Sequence, residues 1–129
     1  MPLTLDIGGE GRHVDAWNVN PSPVKTLGQG KGETIPRHIL GRAEAIPVSD
    51  HSVDRIIVER TPLRKLALHE IERVVASGGL IILRHAAPEG MDPHALASTI
   101  LPGHVTKRRI RINGRELQET RFQLDRHSP

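Results

Sequence analysis

The sequence predicts an α/β domain built on a mainly parallel sheet, with helices on both faces and an antiparallel β-hairpin at its C-terminal end. Three observations carry this. Val53 to Val58 is an apolar run rich in β-branched residues, the pattern of a strand covered on both faces. A helical pattern follows from Pro62 to Val75, then Ser77-Gly78-Gly79, then a second apolar run, Leu80 to Leu83; strand, helix, strand is the unit from which parallel sheets are made. Near the C-terminal end two segments of strand period flank Asn113-Gly114, the strongest short-range hairpin signal.

Chain length sets the scale of the fold. A sequence of 129 residues is expected to form one domain over 1–129, with a single modest core. Trp17 and Phe122 are the only aromatic residues, so that core is aliphatic. The absence of cysteine excludes disulfides, thiolate metal sites and cysteine nucleophiles, and fits a cytoplasmic protein. No apolar stretch approaches the about 20 residues of a membrane span, and no N-terminal apolar run suits a signal peptide. A net charge of +3 is a mild bias towards anionic partners. The eight histidines are scattered, and none has the spacing to a carboxylate that a metal site requires.

Each element follows from local chemistry. Leu3 to Ile7 is a short strand ending at Gly8-Gly9, and Asp15 to Val19 is a second, closed by Asn20-Pro21. Residues 22–37 are rich in Gly, Pro and polar residues with no sustained period, which predicts a flexible loop. His38 to Leu40 is a third short strand. Thr61-Pro62 predicts a helix start, a hydroxyl cap followed by proline at the first helical position. Leu63, Leu66, Ala67, Ile71, Val74 and Val75 form its apolar face, and Gly78-Gly79 its end. Asp92-Pro93 opens a short helix to Leu101, closed by Pro102-Gly103. The hairpin occupies 104–126, with Val105 to Ile112 and Arg115 to Leu124 as its strands. Ile110, Ile112, Phe122 and Leu124 are expected on one face, and Lys107, Arg109 and Arg111 on the other.

Two motifs, in order and at matching distance, point to a family. The first is Gly41, Ala43, Glu44, Ile46, Pro47, Asp50, Ser52 and Asp54; the second is Glu70, Arg73, Val74, Gly78 and Gly79. Here the chain resembles class I S-adenosylmethionine (SAM)-dependent methyltransferases, in particular a small, reduced type 11-like bacterial branch. The resemblance implies a Rossmann-like sheet that binds SAM over the carboxyl ends of its central strands. It implies that Asp6-Ile7-Gly8-Gly9-Glu10-Gly11 is the glycine turn after the first strand, and that Asn20 stands where an acid grips the ribose. It also implies that Arg42, Ala43 and Glu44 lie beside the adenine, and that Glu59 ends the strand nearest the methionine or the substrate. Three positions depart from the family pattern. Glu10 replaces a glycine, Asn20 replaces the ribose acid, and Arg42 replaces an acid beside the ring. Asparagine lacks the charge-assisted bond, roughly a factor of two in strength, and arginine donates only, so it would stack on adenine rather than accept from it.

The expected cofactor-binding set is therefore Asp6, Gly8, Gly9, Gly11, Asn20, Arg42, Ala43, Glu44 and Glu59. Read without the resemblance, the glycines form a simple strand-ending turn, and Asp50, Ser52 and Asp54 fix turns and strand entry. Methyl transfer needs alignment above all, with a histidine as general base for a hydroxyl or amine acceptor. His85 and His104 are the candidates, with His69 on the helix; the plainer reading of each is a solvated or capping histidine. The expected function is SAM-dependent methyl transfer to a small-molecule acceptor. The alternative is an inactive methyltransferase-like module that assembles with a partner protein. The open acceptor site of so short a chain is one that a partner protein or a homodimer could complete. The stripe Lys107, Arg109 and Arg111 could hold an anionic partner, or simply protect an edge strand.

Overall fold

The computed structural model describes residues 2–125. Among the described residues seven strands and two helices follow in the order β1 (Thr4–Ile7), β2 (Trp17–Asn20), β3 (His38–Leu40), β4 (Val53–Glu59), α1 (Lys65–Val74), β5 (Val75–His85), α2 (Ala95–Ile100), β6 (His104–Ile112) and β7 (Arg115–Gln123). They form one sheet in the order β3-β2-β1-β4-β5-β7-β6. β1 to β5 pair in parallel, and β7 runs antiparallel to both neighbours. The chain works outward from β1 to β3, then returns to the other side of β1, so strand order reverses between β1 and β4. Ligands of open α/β sheets bind at such a reversal, outside the carboxyl ends of the strands.

Registration decides which residues share a face. Leu5, Ile56, Ile81 and Phe122 stand side by side across four strands, and Ile7, Val58 and Leu83 form the next row on the same face. Leu68, Ile71 and Val74 of α1 and Ala97 of α2 pack against these rows in one buried cluster. Burying each large aliphatic side chain contributes about 1.5–3 kcal/mol. α1 and α2 therefore lie on the same face, and among the described residues no helix covers the other, contrary to the expectation of helices on both faces. The physical reason lies in the connections: Gly8 to Ala16 and Pro21 to Arg37 cross from strand to strand as loops and turns.

The hairpin forms as predicted. Asn113 (φ 49°) and Gly114 (φ 78°) supply the two positive φ angles of a type I′ turn. Residue 126, the expected end of the hairpin, lies outside the described residues. One expectation is corrected. Val105 pairs with Phe122, whereas Ile110 pairs with Leu117 and Ile112 with Arg115. Residues paired across an antiparallel ladder share a face, so Ile110 and Ile112 lie on the side opposite Phe122 and Leu124, and Lys107, Arg109 and Arg111 lie on the same side as Phe122.

α1 is shorter than its sequence pattern. The Thr61 hydroxyl donates to the Ile7 carbonyl (3.2 Å) instead of capping the helix, and the N-cap falls at Arg64, which makes no side-chain cap bond. At the other end the chain turns extended at Val75 and enters β5 directly. Gly78 (φ 79°) and Gly79 then shape an irregular stretch, so that β4 pairs with Val75 and resumes at Leu80. Leu66, predicted on the apolar face, is 67% exposed, and Leu68 is buried in its place. α2 begins at Ala95 rather than Asp92, because Asp92 Oδ1 accepts the His94 N–H in a turn before the helix.

Candidate functional site

The two motif segments, Gly41 to Asp54 and Glu70 to Gly79, hold each other. Arg73 donates to the carbonyls of Ile46 (2.8 Å) and Val48 (3.0 Å) and to the carboxylates of Glu70 and Asp50 (2.7 Å each). Glu70 Oε1 in turn accepts the Ile46 N–H (2.8 Å), and these bonds, chiefly that from Arg73, lower its pKa. The segment after β3 is thus clipped to α1, which fixes Arg42, Ala43 and Glu44 relative to the strand ends. Asp50, Ser52 and Asp54 are structural: they bond Arg73, the Ser49 carbonyl and the Leu3 N–H.

What this positions is a slot of about 260 Å³ at the carboxyl ends of β1 to β4. Ile7, Gly8, Val19, Pro21, Ala43, Thr61 and Pro62 give it a largely apolar lining, and Arg42, Glu44 and Arg64 add the charged groups. A second cleft of about 360 Å³ also touches Gly8 and includes Gly11, Arg12, Lys25 and Leu27. Gly8 (φ 74°) takes a conformation that other residues rarely adopt, and a Cβ there would collide with the Thr61 side chain. Gly9 is constrained by space alone, because its Cβ would strike the Asp6 and Asn18 side chains.

The predicted cofactor residues divide. Gly8, Arg42, Ala43 and Glu44 line the slot. Asn20 does not: it is buried, its Nδ2 donates to the Gly9 carbonyl (3.1 Å) and its Oδ1 accepts the Ser22 N–H (2.9 Å). Glu10 lines the second cleft and accepts from the Thr26 N–H, the Thr26 hydroxyl and the Leu27 N–H, which joins the turn after β1 to the loop at 22–37. Partial burial raises the Glu10 pKa, but these bonds outweigh it and the net shift is downward. Asp6 stands on the helix-free face in a two-pronged pair with Arg12 (2.7 and 3.0 Å); burial still raises its pKa. Gly11 (φ 115°) packs its backbone against Pro36.

Glu59 opens a feature that sequence reading missed. Glu59, Arg84, Glu119 and Arg108 are consecutive partners across β4, β5, β7 and β6, a ladder of alternating charge. Arg84 bonds Glu59 (3.2 Å) and Glu119 (2.9 Å), Arg108 also bonds Glu119, and Arg121 approaches it at 3.3 Å. Arg12 (3.8 Å) and His13 (3.6 Å) close the row at Glu59. Burial raises the Glu119 pKa, but the guanidiniums outweigh it and bring it down to about 2. Only the strand register, invisible in sequence alone, brings these residues together.

The histidine candidates fare differently. His104 pairs with Gln123, which pairs with Leu80. It therefore sits level with Leu80 in the middle of β5, five residues or about 17 Å from the slot end of that strand at His85, too far to act as a base there. His69 is exposed on α1. His85 is close: its Nε2 is 2.6 Å from the Thr61 carbonyl and its Nδ1 is 2.8 Å from His94 Nε2. Both ring nitrogens are engaged and burial lowers its pKa, so it has no free lone pair for an acceptor. The hairpin stripe is largely neutralised, with Lys107 paired to Asp92 (2.8 Å) and Arg109 to Glu116 (3.7 Å). Among the described residues no group of three or more His, Cys, Asp or Glu could hold a metal ion, and no helix is long and apolar enough to cross a membrane.

No family model and no curated protein matches the chain. Solved structures do. The chain is similar to the YcgJ protein of Bacillus subtilis, with 26% identity and a TM-score of 0.51 over 69% of this chain and 46% of that one. It is similar to a SAM-dependent methyltransferase of Thermotoga maritima, with 25% identity and a TM-score of 0.52 over 65% and 44%. It thus spans less than half the length of these two. The antibiotic-resistance methyltransferase Kmr aligns over 98% of this chain and 88% of its own, with 14% identity and a TM-score of 0.66. Together with the strand order and the two interlocked motifs, these likenesses show that the chain has the class I SAM-dependent methyltransferase fold.

Proposed function

We propose that the chain binds the adenosyl part of SAM in the slot at the ends of β1 to β4 and serves methyl transfer to a small-molecule acceptor. The observation that carries this is the slot itself, an apolar recess at the reversal of strand order, bordered by the Gly8 turn and the Arg73-clipped segment. Val19, Pro21, Ala43 and Pro62 suit the faces of a flat heterocycle, and Arg42 can stack at its edge. Glu44 is the one carboxylate among the lining residues and the acceptor available to ribose hydroxyls or an amine, replacing the engaged Asn20. When bound, SAM supplies an electrophilic methyl group on a sulfonium. The protein's part is then to hold donor and acceptor in line, and His85 takes no proton in this arrangement.

A second reading, a methyltransferase-like module that assembles with a partner protein, draws on Asn20 and Glu10, whose polar atoms brace the protein itself. Calorimetric titration with SAM and S-adenosylhomocysteine separates the two. Micromolar binding by the wild type, lost in a folded Ala43→Phe variant whose ring fills the slot, supports the first. No heat from folded wild type at millimolar ligand overturns it in favour of the second.

A further inference from the structure

Behind the slot runs a line of hydrogen bonds whose protons can be assigned by elimination. It starts at the Thr61 carbonyl, passes through His85 to His94 Nε2, and continues from His94 Nδ1 to Thr120 Oγ1 (2.7 Å). Gln118 Nε2 then donates to Thr120 Oγ1 (3.1 Å) and to Asp92 Oδ1 (2.8 Å). A carbonyl only accepts, so His85 Nε2 carries a proton. Neutral His85 then offers a bare Nδ1, which requires a proton on His94 Nε2. The bare Nδ1 of His94 takes the Thr120 hydroxyl proton, and the hydroxyl oxygen accepts from Gln118. This arrangement satisfies every group with both rings neutral. His94 is 1% exposed and Thr120 fully buried, so an unmet donor there finds no water.

The line ends on a residue that shapes the slot. Thr61 lines it, bonds the end of β1 through its hydroxyl, and packs against Gly8. The preceding Arg60 has φ 64°, a strained conformation for a residue with a side chain, held by its N–H bond to the Arg84 carbonyl (2.9 Å). Neighbouring charges act in both directions. Arg12, from the turn after β1, disfavours a charged His85, and Glu59 at the end of β4 favours one. Asp92 favours a charged His94, and Lys107 of β6 and His85 itself disfavour it. Burial is the largest influence on both rings.

We propose that His85 and His94 are positioning residues of the slot: the neutral pair, oriented by the Thr120 hydroxyl, holds Thr61 and the Gly8 turn in the ligand-binding arrangement, and protonation releases them. A proton added at His85 Nδ1 would face the His94 Nε2–H. Relief requires the His94 proton to move to Nδ1, which leaves the Thr120 hydroxyl proton without an acceptor, or the His85–Thr61 bond to open. The inference rests on the slot being an adenosyl site, but it is tested without that assumption.

The test is a pH titration of the ligand-free protein by nuclear magnetic resonance, following the imidazole nitrogens and the backbone amides. At pH 7 both rings should be Nε2-protonated tautomers, and the Gly8 and Thr61 amides should shift with the same acidic midpoint as the rings. Thr120→Val, which keeps the shape and loses the hydroxyl, should shift those amides at pH 7; Thr120→Ser should leave them as in the wild type. Ring titration near pH 6.5, or Gly8 and Thr61 amides that ignore it, overturns the proposal. In a second arm S-adenosylhomocysteine is titrated into the same proteins. Its affinity should fall about tenfold in Thr120→Val, the loss of one hydrogen bond, and be restored in Thr120→Ser. Absence of binding in every protein would overturn the adenosyl reading and leave the amide result to decide the positioning role. Binding unchanged in a folded Thr120→Val overturns that role.

Discussion

Replacing Glu119 by glutamine tests the charge ladder. Glu119 is fully buried and receives bonds from Arg84, Arg108 and Arg121. Its pKa falls from 4.5 to about 2, and at about 1.4 kcal/mol for each pH unit the ionised form gains a scale of about 3 kcal/mol from folding. Arg108 and Arg121 are more than a third exposed, and solvent screens what they add. A net loss of about 2 kcal/mol at pH 7 is therefore expected for Glu119→Gln. The sign with pH is fixed. A carboxylate depressed in the folded state contributes fully above its unfolded value of 4.5, and its contribution disappears as pH falls towards 2. Urea unfolding of wild type and variant at pH 7, 4 and 3 should show the gap narrowing with acid. A gap independent of pH, or below about 0.5 kcal/mol at pH 7, would refute the reasoning.

Other expectations follow from the same structure. His94, lowered by burial to about 4 against 6.5 when unfolded, should make the wild type lose stability as pH falls from 6.5 to about 4. A non-titrating His94→Leu variant should lose that portion of the slope in denaturant midpoints measured across this range. Phe122→Ala removes the one phenylalanine from beneath both helices and should cost about 3–5 kcal/mol by urea unfolding. Arg73→Ala unclips the segment after β3 and should destabilise by about 2 kcal/mol or more, with amide exchange rising first at Ile46 and Val48. Gly114→Ala, at φ 78°, should cost about 1–2 kcal/mol in the same unfolding assay while leaving slot binding unchanged.

Much of the architecture was legible because its signals are local. The apolar run at β4, the helical period of α1 and the Asn113-Gly114 turn each declare themselves within a dozen residues. What stayed hidden depends on register or on competition for a polar atom. Phe122 and Ile110 looked like neighbours until pairing placed Val105 opposite Phe122. Thr61 looked like a cap, but its hydroxyl had a better partner in the Ile7 carbonyl, and α1 began three residues after Pro62. Asn20 and Glu10 sat at ligand-facing positions in the motif, yet the chain around them, short of a helix after β1, uses both to hold its own loops. His85 stands at the end of a strand that the sequence marks; its partner His94, nine residues on and buried at the N-cap of α2, has no motif to announce it.

The central claim is the location of ligand binding, and backbone amide shifts on addition of S-adenosylhomocysteine test it most directly. Binding in the slot predicts that the largest shifts fall at Gly8, Arg42, Ala43, Glu44 and Thr61, at the carboxyl ends of β1, β3 and β4. Shifts concentrated at Thr4, Arg55, Leu80 and Gln123, which line a cavity at the opposite end of the sheet, or no shifts at saturating ligand, would contradict the account.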